Sequence, residues 1–75
     1  MEKKLLEIVN TVLKNRNKNL VKNLKPKTHL RADLGFDSLD LAELTVRIEA
    51  EFDIDIFEDG IVNTIGEIII KLKPK

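Results

Sequence analysis

The chain has no cysteine, no tryptophan and no tyrosine. Without cysteine, neither disulfides nor thiolate-bound metals can support the fold. Phe36, Phe52 and Phe57 are the only aromatic residues, so the core must be aliphatic. The single histidine, His29, reads as a solvated loop residue. No apolar run exceeds Ile68-Ile69-Ile70, far short of the ~20 residues that cross a bilayer. Glu7 and Asn10 interrupt any signal-like core behind the basic start, so a cytoplasmic location is expected.

What remains is enough for one small domain. The 75 residues, 43% of them apolar, bound a single unit over residues 1–75 with one core, stabilised by helix packing alone. Formal net charge is zero, but the charges are segregated. Residues 1–32 hold nine Lys/Arg and two Glu, residues 33–60 hold ten Asp/Glu and only Arg47, and residues 61–75 hold three Lys and Glu67. An acidic middle segment suits a partner with a basic surface. The basic third has no interleaved aromatics on which bases could stack, which argues against nucleic acid. Ten acids so close in sequence are expected to repel, so salt is expected to raise the melting temperature.

Helical periodicity in Leu5, Ile8, Val9, Val12 and Leu13 predicts a first helix over about 3–16. A long connection follows, with Pro26 as breaker and with Leu20, Val21, Leu24 and Leu30 expected to pin it across the helices. A second helix is expected from Ser38 to Phe52, an extended link over 53–56, and a short helix from Phe57 to Val62 weakened by Gly60. A last helix is expected from a Thr64/Glu67 capping box to about Leu72. Ile68, Ile69 and Ile70 cannot all face inward on it. The acids from Asp53 to Asp59 do not make a calcium loop, because Phe57 and Glu58 fall where a ligand and a glycine are needed.

The second helix carries two apolar stripes. Leu41, Leu44, Thr45, Ile48 and Phe52 fall on one side, the expected core face, and Leu39, Ala42, Val46 and Ala50 on the other. Asp40, Glu43 and Glu49 flank the second stripe, and an apolar strip framed by acids suits transient docking of a basic partner. At the head of this helix, Leu34-Gly35-Phe36-Asp37-Ser38-Leu39-Asp40 sets one hydroxyl in a ring of acids. With no Gly-x-Ser-x-Gly elbow and only His29 as a base, Ser38 reads as an attachment point rather than a nucleophile. An anionic group on its oxygen would meet the positive end of the helix dipole.

Asp37-Ser38-Leu39, preceded by Leu34-Gly35 and followed by an acidic helix, resembles the acyl carrier protein family. The likeness extends to the spacing of Leu5, Val9, Val12, Leu13, Leu24 and Leu30 and to Glu43-Leu44 and Glu51-Phe52. It implies an all-α four-helix bundle, three longer helices plus a short third, with a long loop after the first. It implies a 4′-phosphopantetheine ester on Ser38, placed there by a phosphopantetheinyl transferase whose magnesium Asp37 helps to hold. The chain itself would bind no resident metal and catalyse nothing. It would be a monomer presenting acyl thioesters to acyl-transferring and ketosynthase-type enzymes with basic docking surfaces. Leu39, Asp40, Glu43, Val46, Glu49 and Glu51 are the implied docking residues, and Leu44, Ile48, Val62 and Ile65 are candidates to line an acyl pocket. The chain departs from the family in its neutral charge and its short 57–63 stretch. It also has Asn17 and Lys18 where an apolar residue and glycine are usual, with Leu20 expected to compensate. Gly-Phe-Asp-Ser differs from the Gly-Gly-His/Asp-Ser of aminoacyl and peptidyl carriers, which remain the alternative, as does an unmodified helical interaction module.

Overall fold

The apolar periodicities described above build three helices in the computed structural model, which describes residues 2–58 and 60–73. They are α1 (Glu2–Asn15), α2 (Ser38–Phe52) and α3 (Ile65–Leu72). Helix α1 buries Leu5, Ile8, Val9, Val12 and Leu13, α2 buries Leu44 and Ile48, and α3 buries Ile65, Ile68, Ile69 and Leu72. These side chains form one core with Leu30, Leu34, Phe36, Ile56 and Val62. Leu41 and Phe52 pack against its margin. Each fully buried aliphatic side chain stabilises the fold by about 1.5–3 kcal/mol relative to exposure. Ile70 is the isoleucine of the triplet that faces out, at 73% exposure.

Among the described residues the fold is all-α, with three helices rather than the four expected. The short helix expected from Phe57 to Val62 is absent among the described residues. Residues 56–58 form a turn instead, in which the Asp55 carboxylate accepts the Phe57 N–H at 2.9 Å. That local bond competes with helical pairing, and Gly60, at φ 130°, leaves helical space altogether. Asp59 lies outside the described residues. The link from α2 runs through Asp53, which closes the helix in the left-handed conformation, and drives Ile56 into the core.

The long loop is pinned, though not by all the residues expected to do so. Asn10 of α1 clamps Val21 at both ends, donating to its carbonyl at 2.9 Å and accepting its N–H at 2.8 Å. The loop then crosses α3 closely enough that the Gly66 N–H reaches the Pro26 carbonyl at 2.9 Å. A Cβ at Gly66 would stand 3.0 Å from that oxygen, so glycine is what permits the approach. An isolated antiparallel bridge joins His29 to Thr64. Leu20 contributes nothing to this, being 56% exposed. The end of α1 is resolved instead by Asn17, which adopts the left-handed conformation at φ 57°, a region asparagine tolerates better than most residues.

Candidate functional site

The last part of the loop fixes where α2 begins. Residues 29–35 wind through a compact turn, with Asp33 and Leu34 N–H groups on the His29 carbonyl and the Gly35 N–H on the Arg31 carbonyl. The Asp33 carboxylate accepts the His29 N–H at 2.7 Å. Gly35 takes φ 70°, where a side chain would be strained. Buried Leu30, Leu34 and Phe36 then hold the turn on the core.

Helix α2 opens with a full capping box. Asp37 is the N-cap, its carboxylate accepting the Asp40 N–H at 3.0 Å, while the Asp40 carboxylate accepts the Asp37 N–H at 3.1 Å. A serine at a helix start is commonly consumed as the cap. Here Asp37 does that work, and Ser38 sits one position later, exposed. Its hydroxyl makes no hydrogen bond among the described residues. The expected box at Thr64 is only half formed. Thr64 accepts the Glu67 N–H at 3.3 Å, but the Glu67 carboxylate turns to the Asn63 N–H at 3.2 Å.

Asp40 is not a surface acid. It is 1% exposed and lies beneath two cations from the end of α1. Arg16 reaches Asp37 through Nη2 at 2.9 Å and Asp40 through Nε at 3.0 Å, and Lys18 Nζ lies 3.1 Å from the other Asp40 oxygen. The Lys18 ammonium also donates to the Gly35 carbonyl. Asp40 Oδ1 receives no well-directed hydrogen bond, so Arg16 serves it as a neighbouring charge rather than as a donor. A carboxylate this deep needs such partners, because burying an unpaired charge costs several kcal/mol. The helix-periodic count placed Asp40 beside the outer stripe. What that count missed is that Arg16 and Lys18, just past the end of the first helix, fold over it. The one available hint was Asn17 and Lys18, which stand where the family usually has an apolar residue and glycine.

The other expected docking residues differ among themselves. Leu39 and Val46 stand 69% and 67% exposed, with Ala42, Glu49 and Ala50 also exposed between and beside them. Glu43 is drawn toward its own chain, accepting from Asn15 and from Arg47 at 2.9 and 2.8 Å. These contacts, Arg47 first, hold the Glu43 carboxyl below the usual glutamate range. Glu51 meets Lys4 at 3.4 Å. The Asp37 carboxyl is likewise held low, chiefly by the Asp40 N–H, with burial opposing and Arg16 reinforcing.

Leu44, Ile48, Val62 and Ile65, the pocket candidates, all lie closed in the core. The open space beside Ser38 is a different feature. It is a groove of about 280 Å³ lined by Arg31, Ser38, Leu41, Ala42, Thr45 and Phe57. Among the described residues there is no cluster of groups suited to hold a metal ion.

A family model described as a phosphopantetheine attachment site matches residues 3–70. The chain is also similar to the mitochondrial acyl carrier protein of Saccharomyces cerevisiae, with 38% identity over 56 residues, 75% of this chain and 45% of that protein. It is similar to the acyl carrier protein of Trieres chinensis, with 40% identity over 48 residues, 61% of this chain and 60% of that protein. The chain thus spans about half the length of these curated relatives. No solved structure matches it. The residues at the head of α2 fit a phosphopantetheine group. Ser38 offers an exposed oxygen not spent on capping, at a helix end whose first N–H groups favour an anion.

Proposed function

Because the chain belongs to the phosphopantetheine attachment family, we propose that it is an acyl carrier protein whose prosthetic group is esterified to Ser38. The observation that carries this reading is the division of labour at the head of α2. Asp37 caps the helix, which leaves the Ser38 hydroxyl exposed and without a partner among the described residues. Bound there, the group supplies a thiol on a flexible arm, on which acyl groups are carried as thioesters. The names of both relatives support an acyl rather than an aminoacyl cargo, and fatty-acid or related lipid biosynthesis is the setting we assign.

In this reading the chain catalyses nothing and acts as a single carrier domain and a monomer. Asp37 lies beside the attachment oxygen and helps to hold the magnesium of the modifying transferase, for which Arg16 must release it. Leu39, Val46 and Glu49 make the contact with acyl-transferring and ketosynthase-type enzymes, and Glu43 and Glu51 join only where a partner's cations displace Arg47 and Lys4. Asp40 is withdrawn from this set. An acyl tail enters among Leu44, Ile48, Val62 and Ile65 by parting a closed core. Among the described residues no helix is long and apolar enough to cross a membrane. Our assignment to the cytoplasm rests on the sequence reading, and imaging of a tagged chain tests it, since the yeast relative is named as mitochondrial.

The deciding experiment is an intact-mass spectrum after incubation with coenzyme A, magnesium and a broad-specificity phosphopantetheinyl transferase. A gain of one phosphopantetheinyl group in the native chain, absent in Ser38→Ala, is expected. No gain in a folded native chain would reject the carrier reading in favour of an unmodified interaction module.

A further inference from the structure

The cations around Ser38 are not equally committed. Arg16 is engaged by Asp37 and Asp40, and Lys18 by Asp40 and the Gly35 carbonyl. Each of these acids therefore has a cation of its own. Arg31 stands in the wall of the groove that contains Ser38. It is exposed, and among the described residues it has no carboxylate within ion-pair distance. Its backbone is fixed, because its carbonyl accepts the Gly35 N–H at 3.1 Å and its neighbour Leu30 is buried. A lone guanidinium on a fixed turn, sharing a groove with an attachment oxygen, is suited to an oxyanion on that oxygen. Guanidinium binds phosphate through two parallel N–H groups, and an ammonium cannot reproduce that geometry.

We propose that Arg31 is a positioning residue for the phosphodiester on Ser38, pairing with it so that the arm lies along the groove formed by Leu41, Ala42, Thr45 and Phe57. The proposal rests on the reading of Ser38 as the attachment point. The apolar wall of the groove accepts the methyl-bearing part of the arm, and Arg31 sets the direction in which the arm leaves the serine. No bond is made or broken. The contact is an exposed charge-assisted hydrogen bond, so it should change the fraction of time the arm spends in the groove by about two- to fivefold, and less at high salt.

The test uses the full chain carrying the prosthetic group, as native protein, Arg31→Gln and Arg31→Lys. The mass spectrum is taken first, then the ³¹P resonance of the phosphodiester and the mobility of the isotopically labelled arm over a sodium chloride titration. In the native protein the resonance should move with salt toward its position in Arg31→Gln, and the arm should be more mobile in that variant. Arg31→Lys should fall between the two. Identical ³¹P shifts and arm mobility in native protein and Arg31→Gln overturn the proposal while leaving the carrier reading intact. If Arg31→Gln resists modification, the native titration decides alone, and a salt-independent resonance overturns the proposal. No mass gain in the native chain removes the carrier reading and this proposal together.

Discussion

The two edges of α2 differ in their residues and in their surroundings. Along the edge facing α1, acids are matched by the chain's own cations and amides: Asp37 and Asp40 by Arg16 and Lys18, Glu43 by Asn15 and Arg47, Glu51 by Lys4. Along the outer edge, Leu39, Ala42, Val46 and Glu49 face solvent. The charge segregation of the sequence is thus partly undone in space, because Lys4, Arg16 and Lys18 of the basic first third fold against the acidic helix. Acids counted along a helix are not equivalent: those on the inner edge are engaged within the chain, whereas Glu49 on the outer edge is exposed.

The largest effect on stability should come from the inner edge. Asp40→Ala removes half of the capping box and leaves Arg16 and Lys18 facing each other without their shared carboxylate. The cap and the buried ion contact together put the cost at about 2 kcal/mol, which is roughly 10 °C in Tm for a domain of this size. Thermal unfolding followed by circular dichroism checks this. A loss as small as that of Glu49→Gln would mean that Asp40 is not structural.

The outer edge should behave in the opposite way. Leu39→Ala should leave Tm nearly unchanged, within about 0.5 kcal/mol. It should weaken transfer to a partner enzyme roughly five- to tenfold, as loss of an exposed apolar anchor does. Steady-state kinetics with a ketosynthase-type partner provide the readout. If instead Glu43→Gln weakens that transfer as much as Leu39→Ala does, the division between edges is wrong.

Much of this was legible in the sequence, and the exceptions have a common cause. Helix periodicity located α2 at Ser38–Phe52 and its core residues Leu44 and Ile48, because buried aliphatic spacing is a local property. It also required one exposed isoleucine in the last helix, which is Ile70. The burial of Asp40 was not legible, since it depends on Arg16 and Lys18, more than 20 residues earlier in the chain. Among the described residues no helix forms over 57–62, where the Asp55 carboxylate takes the Phe57 N–H and Gly60 leaves helical space. The groove beside Ser38 joins Arg31 and Phe57 across the fold, and no spacing rule connects them.

Acid should remove the stability that the inner edge contributes. Asp37 and Glu43 are held below their ordinary values of 3.8 and 4.5 by hydrogen bonds that favour their charged forms. A group whose folded value is depressed stabilises the fold above its unfolded value and loses that contribution as pH falls through the folded one. Tm should therefore be level through neutral pH and fall below about pH 4.5. In Asp37→Asn the fall should be shallower, from a lower starting Tm. Lys4, raised above 10.5 chiefly by its bond to Glu7 and then by Glu51, works at the other end. Its contribution is complete below 10.5 and is lost as pH rises through the folded value.

Salt provides the smallest and most discriminating effect. If ten acids simply repelled one another, Tm would climb with ionic strength. In the fold, Asp37, Asp40, Glu43 and Glu51 each have a basic partner, and salt screens those attractions as well. Repulsion is left to Asp33, Glu49 and the acids Asp53, Asp55 and Glu58 that follow α2, for which no side-chain cation contact is formed among the described residues. The two trends oppose, and exposed pairs each contribute about 0–1 kcal/mol, so sodium chloride from low to physiological strength should change Tm by only a few degrees. Removing the inner attractions should reveal the repulsion. In Arg16→Ala, Tm should start lower and rise with salt more steeply than in the native chain. Parallel salt curves for the two proteins would show that Arg16, just past the end of α1, does not neutralise the head of α2 in solution.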